Sequence, residues 1–354
     1  MKDPMTSLER VLAALGLKVE PDRVPLFLLL TTHGASELGL SIKDYYSKAE
    51  HVVEGQLRLR ARYGSDCLYS FFYASLETAA WGGETIFVDD GPPNAGEPPI
   101  GELSMIESLE RPRVGDCRSL GMVLEATRSL KSAIGDEAPV LGVVMSPFSL
   151  PVMQLGFENY LILMDERPDL LNRLLGLNEE FCVEWANAQL AAGATAICYF
   201  DPVSSPTIVP PELYRRYGMP VARRTIARFN GPAAVHFASG RCLPIVGDVA
   251  GTGTLAVGVS AEEDLGVLKA ACAGKIAVVG NLNALEMRTW SPGKAEAEVR
   301  KAIAKGGPGG GFILSDNHGE IPCQVPDAVL RSISEAVREY GRYPIMAEHP
   351  DNGL

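Results

Sequence analysis

The sequence predicts an α/β protein folded as a single (β/α)8 barrel, and three observations carry that expectation. Apolar, strand-like runs alternate with helical periodicity along the chain, a pattern that calls for parallel strands joined by crossover helices. Eight such runs stand outside one loop-rich excursion. Several of them stop on a chemically loaded residue, and in TIM-like barrels the chemistry sits where the strands end. No GxGxxG follows the first run, which argues against an open dinucleotide-binding sheet.

The elements follow in order. Residues 6–16 read as an N-terminal helical extension, amphipathic from Leu8 to Leu15. Val24 to Leu30 is the first buried run, and it ends in Thr31-Thr32-His33-Gly34. Ser41 to Tyr63 has helical periodicity. Asp66 to Tyr73 is a second strand, rich in aromatics. Residues 83–99 depart from the pattern: Thr85 to Val88 is a short strand, and Asp89 to Pro99 is turn-rich. This excursion reads as a lid, an interface between copies of the chain, or a plain surface loop.

Leu120 to Ile134 is a helix, Val140 to Met145 a strand, and Phe157 to Ala192 helical with a break near Arg167-Pro168. Strands follow at 194–200, 233–237, 255–260, 276–280 and 311–314, with helices at 211–229, 261–273 and 295–305 between them. Pro326 to Tyr340 closes the chain as a helix. One barrel domain therefore spans 1–354.

Composition narrows the function. The chain has 354 residues, 46% hydrophobic and 21% charged, enough for one barrel with additions. A net charge of −12 without a basic stripe argues against nucleic acid and against anionic membrane surfaces. The N-terminus lacks an apolar signal region, and no apolar run approaches the ~20 residues of a membrane span. The seven cysteines are odd in number and not closely paired, which predicts free thiols and a cytoplasmic location.

Only five histidines occur, and His33, His236 and His318 close apolar runs. Imidazole is both an acid–base group near neutral pH and the commonest metal ligand. Glu320 and Cys323 follow His318 closely. A zinc held by His236, His318 and a carboxylate or the Cys323 thiolate is one reading; hydrogen bonding within the loops is the other. Asp201 ends another strand, where a carboxylate orients a histidine, acts as a base or caps the next segment. Phe72, Tyr73, Tyr199 and Phe200 lie at or just past strand ends and read either as walls of an aromatic slot or as core. Asn281, and His33 at the same mouth, could contact a substrate.

These stretches resemble the uroporphyrinogen decarboxylase superfamily of barrels. The likeness rests on His236 to Val246, on Gly280-Asn281-Leu282-Asn283, on Gly311 to Pro326 with the helix beyond it, and on Asp201-Pro202-Val203-Ser204-Ser205. Decarboxylases of the superfamily grip substrate carboxylates with an arginine-rich stretch after the first strand. This chain has Thr31-Thr32-His33-Gly34-Ala35-Ser36 there. The resemblance therefore points to the corrinoid-dependent methyltransferase branch, whose zinc is held by a His-x-Cys pair and a later Cys.

His236 falls at the His position, but Ala238 replaces the first Cys and His318 stands where the second would be. The Asp316 to Pro322 ending is similar to methyltransferases of O-demethylase systems. That likeness implies transfer of a methyl group from a methoxylated, aromatic donor to Co(I) of a separate corrinoid protein. The ether oxygen would be activated by zinc or by a protonated His or Glu, with His236, His318, Glu320 and Asp201 as the acid–base set. A decarboxylase or lyase is the competing reading, and a non-catalytic binding subunit the third.

Overall fold

A computed structural model describes residues 5–346. The eight predicted strands form one parallel sheet: β1 Leu26–Phe27, β2 Leu68–Tyr69, β5 Val140–Met145, β6 Ala196–Phe200, β7 Ala233–His236, β8 Ala256–Gly258, β9 Ala277–Leu282 and β10 Phe312–Asp316. Their order is β1-β10-β9-β8-β7-β6-β5-β2, so sequential barrel strands are spatial neighbours. The excursion is an antiparallel hairpin, β3 Thr85–Ile86 and β4 Asn94–Ala95.

The first two barrel strands are much shorter than the runs that announced them, because they meet at the seam where the sheet closes. There Asp66 substitutes for a ladder. Its N–H donates to the Leu26 carbonyl at 2.7 Å, and its carboxylate accepts the Leu26 N–H at 2.8 Å. The same carboxylate takes Arg10, Arg23 and the Ser7 hydroxyl.

Side chains alternate across the strands. Phe27, Tyr69, Val143 and Ile313 pack inside the bore, with the half-buried Cys198, Phe200 and Val279 against them. Val144, Tyr199, Val235, Val257, Val278 and Leu314 face the helical layer. The N-terminal helix Ser7–Gly16 starts in a capping box made by Thr6 and Glu9, and its Val11 and Ala14 plug the lower end of the bore.

Helix boundaries depart from the sequence expectation around residues 41–63 and agree with it near Arg167. The periodic stretch 41–63 is two helices, Ile42–Tyr45 and Ala49–Tyr63, preceded by a short helix His33–Leu38. The 157–192 stretch breaks as expected at Arg167, with helices Phe157–Glu166 and Pro168–Ala191; proline fits the first turn of the second. Among the described residues no helix is long and apolar enough to cross a membrane.

Candidate active site

The strand ends gather the site. β7 delivers His236 into the bore, where its ring stacks on Phe200 with centroids 5.5 Å apart and planes at 21°. The imidazole fits because β8 offers Gly258 opposite: a Cβ there would lie 2.2 Å from His236 Cδ2. Nδ1 accepts the Ala238 N–H at 3.0 Å, which makes Nε2 the protonated nitrogen of the neutral ring, buried and without a partner. Burial, with His318 nearby, lowers the His236 pKa to about 4.

β10 ends in a turn built by Asp316. Its Oδ1 accepts the N–H groups of His318 (2.7 Å) and Gly319 (2.9 Å), the local bonding that suits Asp to turns. The turn aims His318 at Ser239, whose hydroxyl lies 2.7 Å from Nδ1. Burial lowers the His318 pKa as well.

Glu320, two residues past His318, is held through Oε1 by the Thr31 and Thr32 hydroxyls, the latter at 3.2 Å. Burial raises its pKa, and the threonine bonds only partly offset that. Asp316 is fully buried, its Oδ2 has no partner, and its pKa is pushed up to about 7 by burial, with Glu320 adding to the shift. Burial thus raises the pKa of both neighbouring carboxyl groups, Asp316 to about 7, while it lowers that of both imidazoles and so favours their neutral form.

Gly319 lies over the Phe200–His236 stack with φ +93°. A Cβ there would come within 2.8 Å of Phe200 Cε2 and 3.6 Å of His236 Cε1. Gly319→Ala should therefore cost about 1–3 kcal/mol of stability through backbone strain and ring displacement. Urea unfolding reads this directly; an unchanged midpoint would show that the stack yields freely.

The other expected site residues are placed as follows. His33 is buried at the start of the short helix that follows β1, with both ring nitrogens unpartnered, and burial lowers its pKa to about 4. The Asn281 side-chain amide donates to the Ser260 carbonyl at 2.8 Å, so it ties the end of β9 to the loop after β8. Asp201 is buried among hydroxyls: Ser146 and Ser149 donate to Oδ1 at 2.5 and 2.7 Å, and Ser149 Oγ also accepts the Val203 N–H. Its carboxylate knits the ends of β5 and β6 and makes no hydrogen bond to either histidine.

Three placements correct the sequence expectation. The aromatic slot is not assembled as expected. Strand parity turns Tyr199 outward against Phe229, and Phe72 packs on Tyr46 at 5.4 Å. Tyr73 is wedged between Tyr46 and Phe87 of the excursion. Of that group Phe200 alone reaches the bore, where Tyr69 and Phe71 join it.

The expected zinc ligands do not converge either. Among the described residues no three His, Cys, Asp or Glu side chains are arranged to hold a metal ion. Cys323 lies 3.8 Å from the Asp90 carbonyl on the excursion, and Glu320 is occupied by threonines. Finally, burial lowers the pKa of both histidines, which disfavours the imidazolium form that an acid role would need.

Sequence reasoning missed Asp316, Tyr69, Thr31, Thr32 and Ser239. An Asp followed two and three residues later by His and Gly is a turn signal, and counting strand parity would have favoured Tyr69 over Phe72.

Comparison with known proteins agrees with this architecture. The family model for uroporphyrinogen decarboxylase (URO-D) matches residues 6–340, and the chain belongs to that enzyme family. A uroporphyrinogen decarboxylase of Bordetella petrii is 25% identical over 311 residues, 83% of each chain. One from Idiomarina loihiensis is 25% identical over 258 residues, covering 68% of this chain and 69% of its own. Among solved structures, a methyltransferase from Methanosarcina mazei superposes with a TM-score of 0.86 at 21% identity, covering 95% of this chain and 99% of that one. The barrel is thus shared by decarboxylases and a methyltransferase, and the site must discriminate between them.

Proposed function

We propose that the protein transfers a methyl group from a neutral, methoxylated donor to Co(I) carried by a separate corrinoid protein. The observation that carries this reading is the segment after the first strand, where Thr31, Thr32 and His33 stand and no arginine does, and where the two threonine hydroxyls hold the Glu320 carboxyl, whose pKa burial raises. A polycarboxylate tetrapyrrole finds no arginine in that stretch, whereas a neutral ether meets a proton donor. The Methanosarcina protein of the same fold is a methyltransferase, which accords with this choice.

The chain's own part in the chemistry is acid catalysis. A phenolate or alkoxide leaves poorly unless its oxygen is protonated as the bond breaks. Protonated Glu320 gives its proton to the ether oxygen, and the C–O electron pair goes to that oxygen. The methyl carbon accepts the electron pair of the Co(I) acceptor, which approaches through the barrel mouth. Alcohol or phenol leaves, and solvent reprotonates the Glu320 carboxylate. Thr31 and Thr32 fix the carboxyl, while Phe200 and His236 floor the site.

No step is assigned to zinc. A zinc held by His236 would need partners other than Cys323, and metal analysis of the purified protein before and after chelation decides whether one is bound.

The test is the optical spectrum of cob(I)alamin mixed with the protein and a panel of methoxylated aromatics, simple methyl ethers, methanol and methylamines. Conversion to methylcobalamin with an ether supports the proposal and names the donor. Lack of conversion with every donor, together with carbon dioxide release from a carboxylated porphyrinogen, would overturn it in favour of decarboxylation.

A further inference from the structure

Behind the two threonines that hold Glu320 stands a third hydroxyl. Tyr46 caps the C-terminus of the short helix Ile42–Tyr45 and is 2% exposed. Its hydroxyl lies beside that of Thr31, with the Glu320 carboxyl near. The ring is fixed edge-on against Tyr45 at 4.9 Å and Tyr73 at 5.2 Å, and it lies tilted on Phe72 at 5.4 Å. The methyl-transfer reading gives Tyr46 no part.

The Tyr46 oxygen is buried and makes no hydrogen bond as placed, whereas buried polar atoms nearly always find a partner. Burial, with Glu320 adding to it, pushes the phenol pKa well above its ordinary value, so the group keeps its proton and is a donor in want of an acceptor. Thr31 offers one. Its single hydroxyl proton goes to Glu320 Oε1, and a hydroxyl has acceptor lone pairs besides its proton. Rotation of the Tyr46 O–H toward Thr31 completes a chain from Tyr46 Oη through Thr31 Oγ1 to Glu320 Oε1, with every proton pointing toward the carboxyl group.

The direction of that chain matters to an acid. A threonine hydroxyl left alone can turn either way, giving its proton to Oε1 or accepting one from it. With Tyr46 donating, Thr31 has to give. Thr32 also donates to Oε1, at 3.2 Å. An oxygen that accepts two hydrogen bonds is the poorer seat for the carboxyl proton, and Oε2 takes neither of them.

We infer that Tyr46 is a positioning residue for the Glu320 acid: its hydroxyl donates to Thr31 Oγ1, commits Thr31 to donate to Oε1, and so keeps the transferable proton on Oε2. This rests on the reading of Glu320 as the acid in methyl transfer. Linked hydrogen bonds also strengthen one another, so the chain stabilises the carboxylate left after transfer.

The readout is the NMR resonance of the Glu320 carboxyl carbon, titrated in the resting protein and assigned by its loss in Glu320→Gln. Tyr46→Phe keeps the ring and removes the donor. Thr31 is then free to accept the Glu320 proton, and the carboxylate loses its reinforced donor. Both changes favour the acid form, so the midpoint should rise by about 0.5–1 pH unit, the worth of one hydrogen bond. Tyr45→Phe removes a hydroxyl from the same ring cluster, one that reaches the Val52 carbonyl at 3.5 Å, and should leave the midpoint in place. In a Thr31→Val background Tyr46→Phe should add no further rise, because the chain runs through Thr31. In methyl transfer Tyr46→Phe should lower kcat about threefold to tenfold at unchanged KM.

A midpoint that stays put in Tyr46→Phe, or that rises as far in the Thr31→Val background, overturns the inference. Should Tyr46→Phe fail to fold, Tyr46→fluorotyrosine takes its place. Its more acidic phenol is a stronger donor, so the midpoint should fall, and an unmoved midpoint again overturns the inference. The titration needs no turnover. An unmoved midpoint removes Tyr46 and leaves the acid standing, whereas full activity of Glu320→Gln removes the acid and leaves the coupling through Thr31 standing.

Discussion

Asp66→Ala is expected to destabilise the protein by about 3–5 kcal/mol, the cost of breaking a buried ion pair from one side. The carboxylate is 1% exposed and serves four partners at once. Oδ1 takes Arg10 at 2.7 Å, Arg23 at 3.0 Å and Ser7 at 2.9 Å; Oδ2 takes Arg23 and the Leu26 N–H at 2.7 and 2.8 Å. Arg10 keeps Asp22 and the Met5 carbonyl after the substitution, but Arg23 loses its carboxylate and the β1–β2 seam loses its bridge. Asp66→Asn retains one acceptor and the shape, and should cost less.

Equilibrium urea unfolding checks both, with the midpoint falling while the slope holds. Lys294→Ala offers the contrast. Its ion pair with Glu298 is exposed, and its removal should cost under ~1 kcal/mol. Equal losses in the two variants would show that the barrel does not depend on Asp66 for closure.

That seam also shows where reading the sequence stopped. Eight apolar runs, their spacing and their loaded endings define the barrel, because strand periodicity and turn chemistry are local. Val140 to Met145 was legible to the residue. The closure was not, since Asp66 reaches Ser7, Arg10, Arg23 and Leu26 across up to 59 residues of chain and no local pattern records such a contact.

The site divides the same way. His236, His318 and Glu320 were legible as strand-end residues, and the structure keeps them at one mouth. The aromatic slot was not, because clustering in sequence ignores parity: Phe200 and Tyr199 are neighbours that face opposite sides of one strand. Burial was also invisible, and burial decides which group holds a proton. Two histidines that look like acids at neutral pH favour the neutral ring, and two carboxyls that look like plain anions hold their protons to higher pH.

Glu320→Gln follows from that inversion. If Glu320 protonates the departing oxygen, the variant keeps the shape and the Thr31 and Thr32 contacts but loses the transferable proton. Its kcat for methyl transfer should fall about 10²- to 10⁴-fold, with KM for the donor little changed. In the wild type, activity should decline as pH rises through the raised Glu320 pKa, because the acid form is consumed. Donors with better leaving groups should lose less in the variant, a signature that a positional role would not produce.

Asp316→Asn separates charge from acid chemistry. Its Oδ1 still caps His318 and Gly319, while an amide replaces the unpartnered Oδ2. A carboxyl raised from 3.8 to about 7 binds more protons folded than unfolded, so wild-type stability falls as pH rises through that window. Asp316→Asn should remove the fall, leaving a flatter stability profile between about pH 4 and 7. Its methyl transfer should persist, since Glu320 remains the donor. A profile as steep as wild type would assign the buried proton elsewhere. Loss of activity as deep as in Glu320→Gln would make Asp316 the acid instead.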